Sequence, residues 1–233
     1  MTAESTQNYH DNFDHSKLLY EKTIKCPICG EESKNIAIKK GGYRILDQDS
    51  DFMVNYSGIN PLFYEIKHCK VCGYAALPSL FDSIREKEKE LIQQKITAKW
   101  TPPTYPKQYD VEFAIKQFQL ALLNCLAKDG HASEKGFICL KLSWLFRIKK
   151  DEINEQRFQL QALTCLEEAY INEKTPFMGL DESSLLYLIG ELHRRLGNNE
   201  KALLNFSQVL VSSQATTKIK EKVRSQRDLI RGA

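Results

Sequence analysis

The sequence predicts a mostly α protein with a small β head, and three observations carry that reading. Two Cys-x-x-Cys-Gly turns, Cys26-Pro27-Ile28-Cys29-Gly30 and Cys69-Lys70-Val71-Cys72-Gly73, lie in the first third, each beside a short β-type run. From Ser79 onward apolar residues recur with the helical period. Three prolines, Pro102, Pro103 and Pro106, break that helical pattern once, and Gly197-Asn198 punctuates it again.

The elements follow in order. Residues 1–21 are polar, carry His10 and His15, and show little periodicity; a loose tail is expected. Residues 22–78 form the head. Residues 35–39 read as a short strand ended by Gly41-Gly42. Residues 62–67 read as a second strand, with Leu62, Tyr64 and Ile66 on one face and Glu65 and Lys67 on the other. Residues 79–99 form a charged helix with a thin stripe of Ile84, Leu91 and Ile96. Five more helices are expected over 108–128, 134–149, 153–172, 182–196 and 199–213, and a basic segment at 216–231 closes the chain. The chain thus divides into a tail (1–21), a head (22–78) and a helical domain (79–233).

Composition bounds the function. At 42% hydrophobic and 27% charged residues, the chain has enough apolar material for a core. A net charge of +3 points by itself to neither nucleic acid nor membrane. The start lacks the basic-then-apolar order of a signal peptide, and no apolar run has bilayer-spanning length. A cytoplasmic location is expected. Thiols stay reduced there, so the seven cysteines read as metal ligands or core residues, and their odd number agrees.

The two CxxC turns predict one structural zinc ion held by Cys26, Cys29, Cys69 and Cys72. Zinc takes four ligands at tetrahedral corners, and each tight bend offers it two thiolates. The glycine after each second cysteine suits the positive φ needed as the chain turns away. Lys25, Lys67 and Lys70 lie beside the ligands and would offset the surplus negative charge. A redox dithiol expects a strand–helix setting that neither pair has. An open catalytic zinc would need His68 or Asp51 to displace a cysteine. A nucleic-acid-binding ribbon is the main competitor, opposed by the acidic cluster Asp47, Asp49 and Asp51.

The stretch between the turns is rich in aromatics and reads either as a ligand or partner patch or as packing onto the head and first helices. Its motifs carry a resemblance. Cys26, Cys29, Asp49, Asp51, Phe52, Tyr56, Gly58, Asn60, Pro61, Tyr64, Cys69, Cys72, Gly73, Tyr74 and Ala75 stand in an order similar to that of an uncharacterised bacterial family of unknown function. Its members join a zinc-ribbon-like double knuckle to tetratricopeptide-like C-terminal helices. The resemblance implies that fold and metal, and no activity.

Residues 183–214 fit the tetratricopeptide pattern on their own account. Gly190 sits where the first helix needs a small residue, and Leu186, Ile189 and His193 form its inner stripe. Ala202, Phe206 and Val209 take the second-helix positions. A degraded copy runs through Leu142, Ser143 and Phe146, then Ala162, Leu166 and Ala169. Ala114, Phe118 and Ala121 mark a still earlier second helix. Cys125, Cys139 and Cys165 fall on or near apolar stripes and read as core thiols.

That register places Trp144, Arg147, Tyr187, Arg194 and Arg195 on the groove side of the first helices, where they would bind a protein partner with an acidic, extended segment. Alanine at Arg147 and Arg194 is expected to weaken capture without unfolding the chain. The leading function is a non-enzymatic adaptor. The alternatives are a nucleic-acid-associated factor using the ribbon and the basic terminal helix, and an enzyme with a site near Asp49, Asp51 and Tyr56. No Walker loop, dinucleotide glycine pattern, HExxH or nucleophile elbow occurs, and the reading leans away from an enzyme.

Overall fold

A computed structural model describes residues 15–232. The head is three two-stranded hairpins. Strands β1 (Leu19–Lys25) and β2 (Glu32–Ile38) pair antiparallel with Lys25 opposite Glu32, so residues 26–31 are the turn that joins them. Strands β3 (Tyr43–Gln48) and β4 (Val54–Gly58) form a second hairpin whose tip is residues 49–53. The short strands β5 (Lys67–His68) and β6 (Ala75–Ala76) form the third, joined by the second CxxC turn.

Two expectations fail here for local reasons. The strand expected over residues 62–67 is a 3-10 turn, Pro61–Tyr64, and extended chain resumes only at Lys67. The Asn60 carboxamide oxygen accepts from the Leu62 amide at 3.0 Å, and Pro61 presets the helical φ at the first position. The loose tail expected for residues 1–21 gives way to a 3-10 turn (His15–Leu18) and β1. Most of β1 is exposed, so its sequence lacks the alternation that marks a half-buried strand. The rest of that tail, with His10, lies outside the described residues.

Seven α-helices follow among the described residues: α1 (Glu86–Lys95), α2 (Val111–Ala127), α3 (Ala132–Ile148), α4 (Glu152–Asn172), α5 (Glu182–Arg195), α6 (Asn199–Val211) and α7 (Thr217–Arg231). Side-chain caps set four of the starts. Asp110, Asp151, Asp181 and Thr216 accept from the amides of Phe113, Asn154, Ser184 and Ile219. Turns of three residues fold α4 back on α3 and α6 back on α5. Glycine permits each close approach: a Cβ on Gly136 would lie 2.9 Å from Leu166, and one on Gly190 would lie 2.7 Å from Phe206. Helix α7 covers the far end, with Ile219 and Val223 buried against Leu186, Tyr187 and Phe206.

The apolar core is continuous across residue 78. Met53, Leu62, Ile66, Ala75 and Leu77 of the head share one cluster with buried residues of α2 to α5. A second cluster packs the turn cysteines against Tyr74, Phe81, Ile92 and Ile96. Head and helices therefore meet through a common interior. No helix among the described residues is long and apolar enough to cross a membrane.

Candidate functional site

The two CxxC turns are built alike. The Cys26 amide donates to the Glu31 carbonyl at 2.9 Å, and the Gly30 amide to the Cys26 carbonyl at 3.0 Å. In the second turn the Cys69 amide donates to Tyr74 at 2.7 Å, and Gly73 to Cys69 at 3.1 Å. Gly30 and Gly73 share a φ of +77°. Each hairpin thereby aims two sulfurs at the same point.

The four sulfurs of Cys26, Cys29, Cys69 and Cys72 lie within 4.8 Å of one another. Cys26 Sγ is 3.6 Å from Cys72 Sγ, and Cys29 Sγ is 3.7 Å from Cys69 Sγ. Metal–sulfur bonds of ~2.3 Å at tetrahedral angles give sulfur–sulfur edges of ~3.8 Å, so these spacings fit a metal ion at the centre. They are far longer than a disulfide bond. Hydrogen bonds from Cys26 and Cys72 draw the Cys69 thiol far below the ordinary range. Cys26, donating to Cys69, is pushed up to about 12, and Cys72 is pushed up as well. Four thiolates do not coexist at such spacing without a cation between them. The donor set is a candidate metal centre, and no other group of the kind occurs among the described residues.

The helices grip the second turn. Trp100 Nε1 donates to the Lys70 carbonyl at 3.0 Å, Thr97 Oγ1 to Cys72 at 3.1 Å, and the buried Asn124 amide to Gly73 at 3.0 Å. A Cβ on Gly73 would lie 2.5 Å from the Trp100 ring, whereas nothing lies within 4 Å of one on Gly30. This contrast yields a prediction. Gly30→Ala should cost the left-handed backbone penalty alone, about 1–2 kcal/mol. Gly73→Ala should cost that plus displacement of Trp100, and thermal melts of the two variants should separate clearly.

His68 stands in β5 beside Cys69 and outside the sulfur set. Burial pushes its imidazole down to about 4, so the ring stays neutral, stacked on Tyr105 at 5.1 Å. Lys67 pairs with Asp82 at 3.1 Å, and Lys70 sits over the Tyr105 ring. Cys125 and Cys139 are buried, and burial raises both thiols, Cys139 to about 12. Such thiols stay protonated and inert.

The five residues expected to line the partner groove do converge, but around this chain's own β3–β4 tip. Arg147 uses every nitrogen of its guanidinium. It forks onto Asp51 at 2.5 and 3.2 Å, reaches Asp49 at 2.9 Å, and turns Nε to Glu155 at 2.7 Å. Trp144 Nε1 donates to Asp51 at 3.1 Å. Tyr187 donates to the Ser50 carbonyl at 2.8 Å, and Arg195 to the Ser50 hydroxyl at 3.0 Å. Arg194 and Arg195 both hold the buried Glu191 at 2.8 Å, and Ser50 donates to that carboxylate at 2.6 Å. The expectation that Arg147 is dispensable for folding is thereby corrected, since it compensates a fully buried aspartate. Asp49 and Asp51 gather on Arg147, and Tyr56 stands against Tyr43.

Burial pushes the Asp51 carboxyl up, but the hydrogen bond and charge of Arg147, with the charge of Arg195, outweigh it and hold the group below the usual range. The unfolded chain's aspartates titrate near ~3.9. Asp51 therefore contributes its stability above that pH and loses it as pH falls through the lower folded value. Acid titration of denaturation midpoints should show this loss below about pH 4, and Asp51→Asn should flatten that limb.

A family model described as "Uncharacterized protein conserved in bacteria (DUF2225)" matches residues 19–230. The chain belongs to this family. A relative from Borreliella burgdorferi, itself titled "Uncharacterized protein", is 23% identical over 228 residues, covering 81% of this chain and 82% of the relative. No solved structure matches. In this DUF2225 chain the matched span takes in the sulfur set, the β3–β4 tip, α1 to α6 and all of α7 but its last residue. Sequence reasoning missed Glu191, Asn124 and the buried pair Lys128–Glu134 at 2.9 Å. Each is a polar residue within a helical stretch, a position that reads as solvated until tertiary packing is known.

Proposed function

We propose that the chain is a non-enzymatic scaffold: one zinc ion staples its head, and a tetratricopeptide-like helical array docks a protein partner. The observation that carries the reading is the closed sulfur set, in which four thiols at tetrahedral spacing leave no corner for water or substrate. An all-thiolate tetrahedron suits zinc in a reducing compartment, in keeping with a cytoplasmic protein. The small-residue crossings at Gly136 and Gly190 and the turn at Gly197 support repeat-like pairs. The division into a head (22–78) and an array (79–233) belongs to the same reading. An acidic partner segment reaches Arg147 and Arg195 only by competing with residues 49–53, and Arg194 only by competing with Glu191.

The test has two readouts. Elemental analysis of purified protein should find one zinc per chain; iron with charge-transfer absorbance, or no metal at all, would contradict the staple. Affinity capture from cells of the source organism should enrich a specific protein that Arg194→Ala retains poorly. Arg194 hydrogen-bonds to Glu191 on its own helix, and Arg195 holds that carboxylate as well, so the loss of Arg194 leaves the fork of Arg147 on the buried Asp51 in place. A second reading rests on α7, whose Lys218, Arg224 and Arg231 are exposed. Enrichment of nucleic acid with steep salt dependence would favour it over the adaptor.

A further inference from the structure

The four corners of the sulfur set are not equally guarded. Cys69 is 0% exposed and Cys26 and Cys72 are 1% exposed, whereas Cys29 is partly exposed. The helical side of the chain builds the cover. Thr97, Trp100 and Asn124 bind the backbone of the second turn, and a Cβ on Gly73 would meet the Trp100 ring. The proline-rich segment that follows Trp100 runs on to Tyr105, whose ring stacks on His68 beside Cys69. The first turn is held more lightly. The exposed Gln93 donates to its Ile28 carbonyl at 3.4 Å. Gly30, next to Cys29, is exposed, and nothing lies within 4 Å of a Cβ placed there. The sulfur set thus opens to solvent at Cys29.

Access alone does not make a thiolate reactive; its charge must also be left available. The lysines flanking the second turn are engaged elsewhere. Lys67 pairs with Asp82 at 3.1 Å, and Lys70 lies 4.7 Å over the Tyr105 ring. The cysteines outside the set compete poorly. Burial raises the thiols of Cys125, Cys139 and Cys165, so they stay protonated. A second sulfur stands ready for Cys29, since Cys69 Sγ lies 3.7 Å away.

We infer that Cys29 is an oxidation site through which a peroxide unstaples the head. The inference rests on the zinc reading of the sulfur set and gives the scaffold a means of regulation. The Cys29 thiolate attacks one oxygen of hydrogen peroxide. The O–O bond breaks, Cys29 becomes a sulfenic acid, and hydroxide leaves. The Cys69 thiolate then attacks the Cys29 sulfur. The S–S bond forms, the S–O bond breaks, and a second hydroxide leaves. Two thiolates have given up two electrons, the peroxide has taken them, and two protons from solvent turn both hydroxides into water. With two of its sulfurs joined, the set no longer closes a tetrahedron around an ion. A thiol reductant returns both sulfurs and reverses the change.

The experiment uses the full zinc-loaded chain. N-ethylmaleimide is added in limiting amount, and the singly labelled chains are mapped by mass spectrometry. The first label is expected on Cys29 at least about tenfold more often than on Cys26, Cys69, Cys72 or Cys165. Hydrogen peroxide should then release zinc, followed with a colorimetric chelator, in step with a Cys29–Cys69 disulfide found in the peptide map. Reductant and added zinc should restore the starting protein. First labels spread evenly over the four ligands would overturn the inference and leave the staple standing. So would any other disulfide pairing, or peroxide that oxidises Cys165 while zinc stays bound. A chain that binds no zinc would remove the staple and the inference together.

Discussion

A chain carrying Cys72→Ser is expected to lose its metal and its folded head together. Cys72 is buried, 3.6 Å from Cys26, and supplies one of four corners. Serine is a poor ligand for a soft thiolate site, and three sulfurs do not close the tetrahedron. Structural metal sites of this kind are worth about 10–16 kcal/mol in isolated fingers, whereas a whole domain is stable by only about 5–15. The damage should reach the helices, because Thr97, Trp100 and Asn124 all bind the backbone of that turn. Hydrogen exchange should show protection lost through β1–β6 and at the end of α2. The wild-type chain treated with a strong chelator should give the same map. A serine variant that is metal-free yet melts where the wild type does would end the structural account of the site.

The second large effect is expected at Arg147. Arg147→Ala removes the bidentate partner of Asp51, which has no exposed surface, and also frees Asp49 and Glu155. Breaking a buried pair from one side costs about 3–5 kcal/mol. Arg147→Lys should fall between, since an ammonium keeps the charge but not the fork. The double variant Arg147→Met with Asp51→Asn removes both charges and should recover part of the loss. Urea midpoints of the four proteins test this. An Arg147→Ala chain as stable as the wild type would show that the tip is not clamped.

What the sequence made legible follows the physics of each signal. The helices after the prolines were readable because their apolar spacing is regular and α2, α4, α5 and α7 start at Asp or Thr caps; the observed starts fall within a few residues of those expected. The sulfur set was readable because the ligand chemistry is written locally, twice, with the same trailing glycine. The strands β1, β3 and β4 were not, because β1 and β3 are largely exposed, β4 is half-buried along most of its length, and none carries an alternation. The register placed Trp144, Arg147, Tyr187, Arg194 and Arg195 on one surface. It did not show that Asp49 and Asp51 would fill that surface, because pairings over such sequence distances leave no periodic trace. A charge-complementarity argument between the aspartates and the arginines was available in the sequence and would have found the clamp.

The wide spacing of those pairings bears on how the molecule is made. Arg195 meets Ser50 across 145 positions of chain, and Arg147 meets Asp51 across 96. A ribosome delivers residues in order, so the acidic hairpin emerges long before its guanidinium partners exist. In that interval two aspartates wait in water, and the apolar flank that includes Phe52 and Met53 has nothing to cover it. Contacts this distant form late and slowly. The nascent protein should therefore pass through a long-lived, sticky stage that ends only once α5 has been translated.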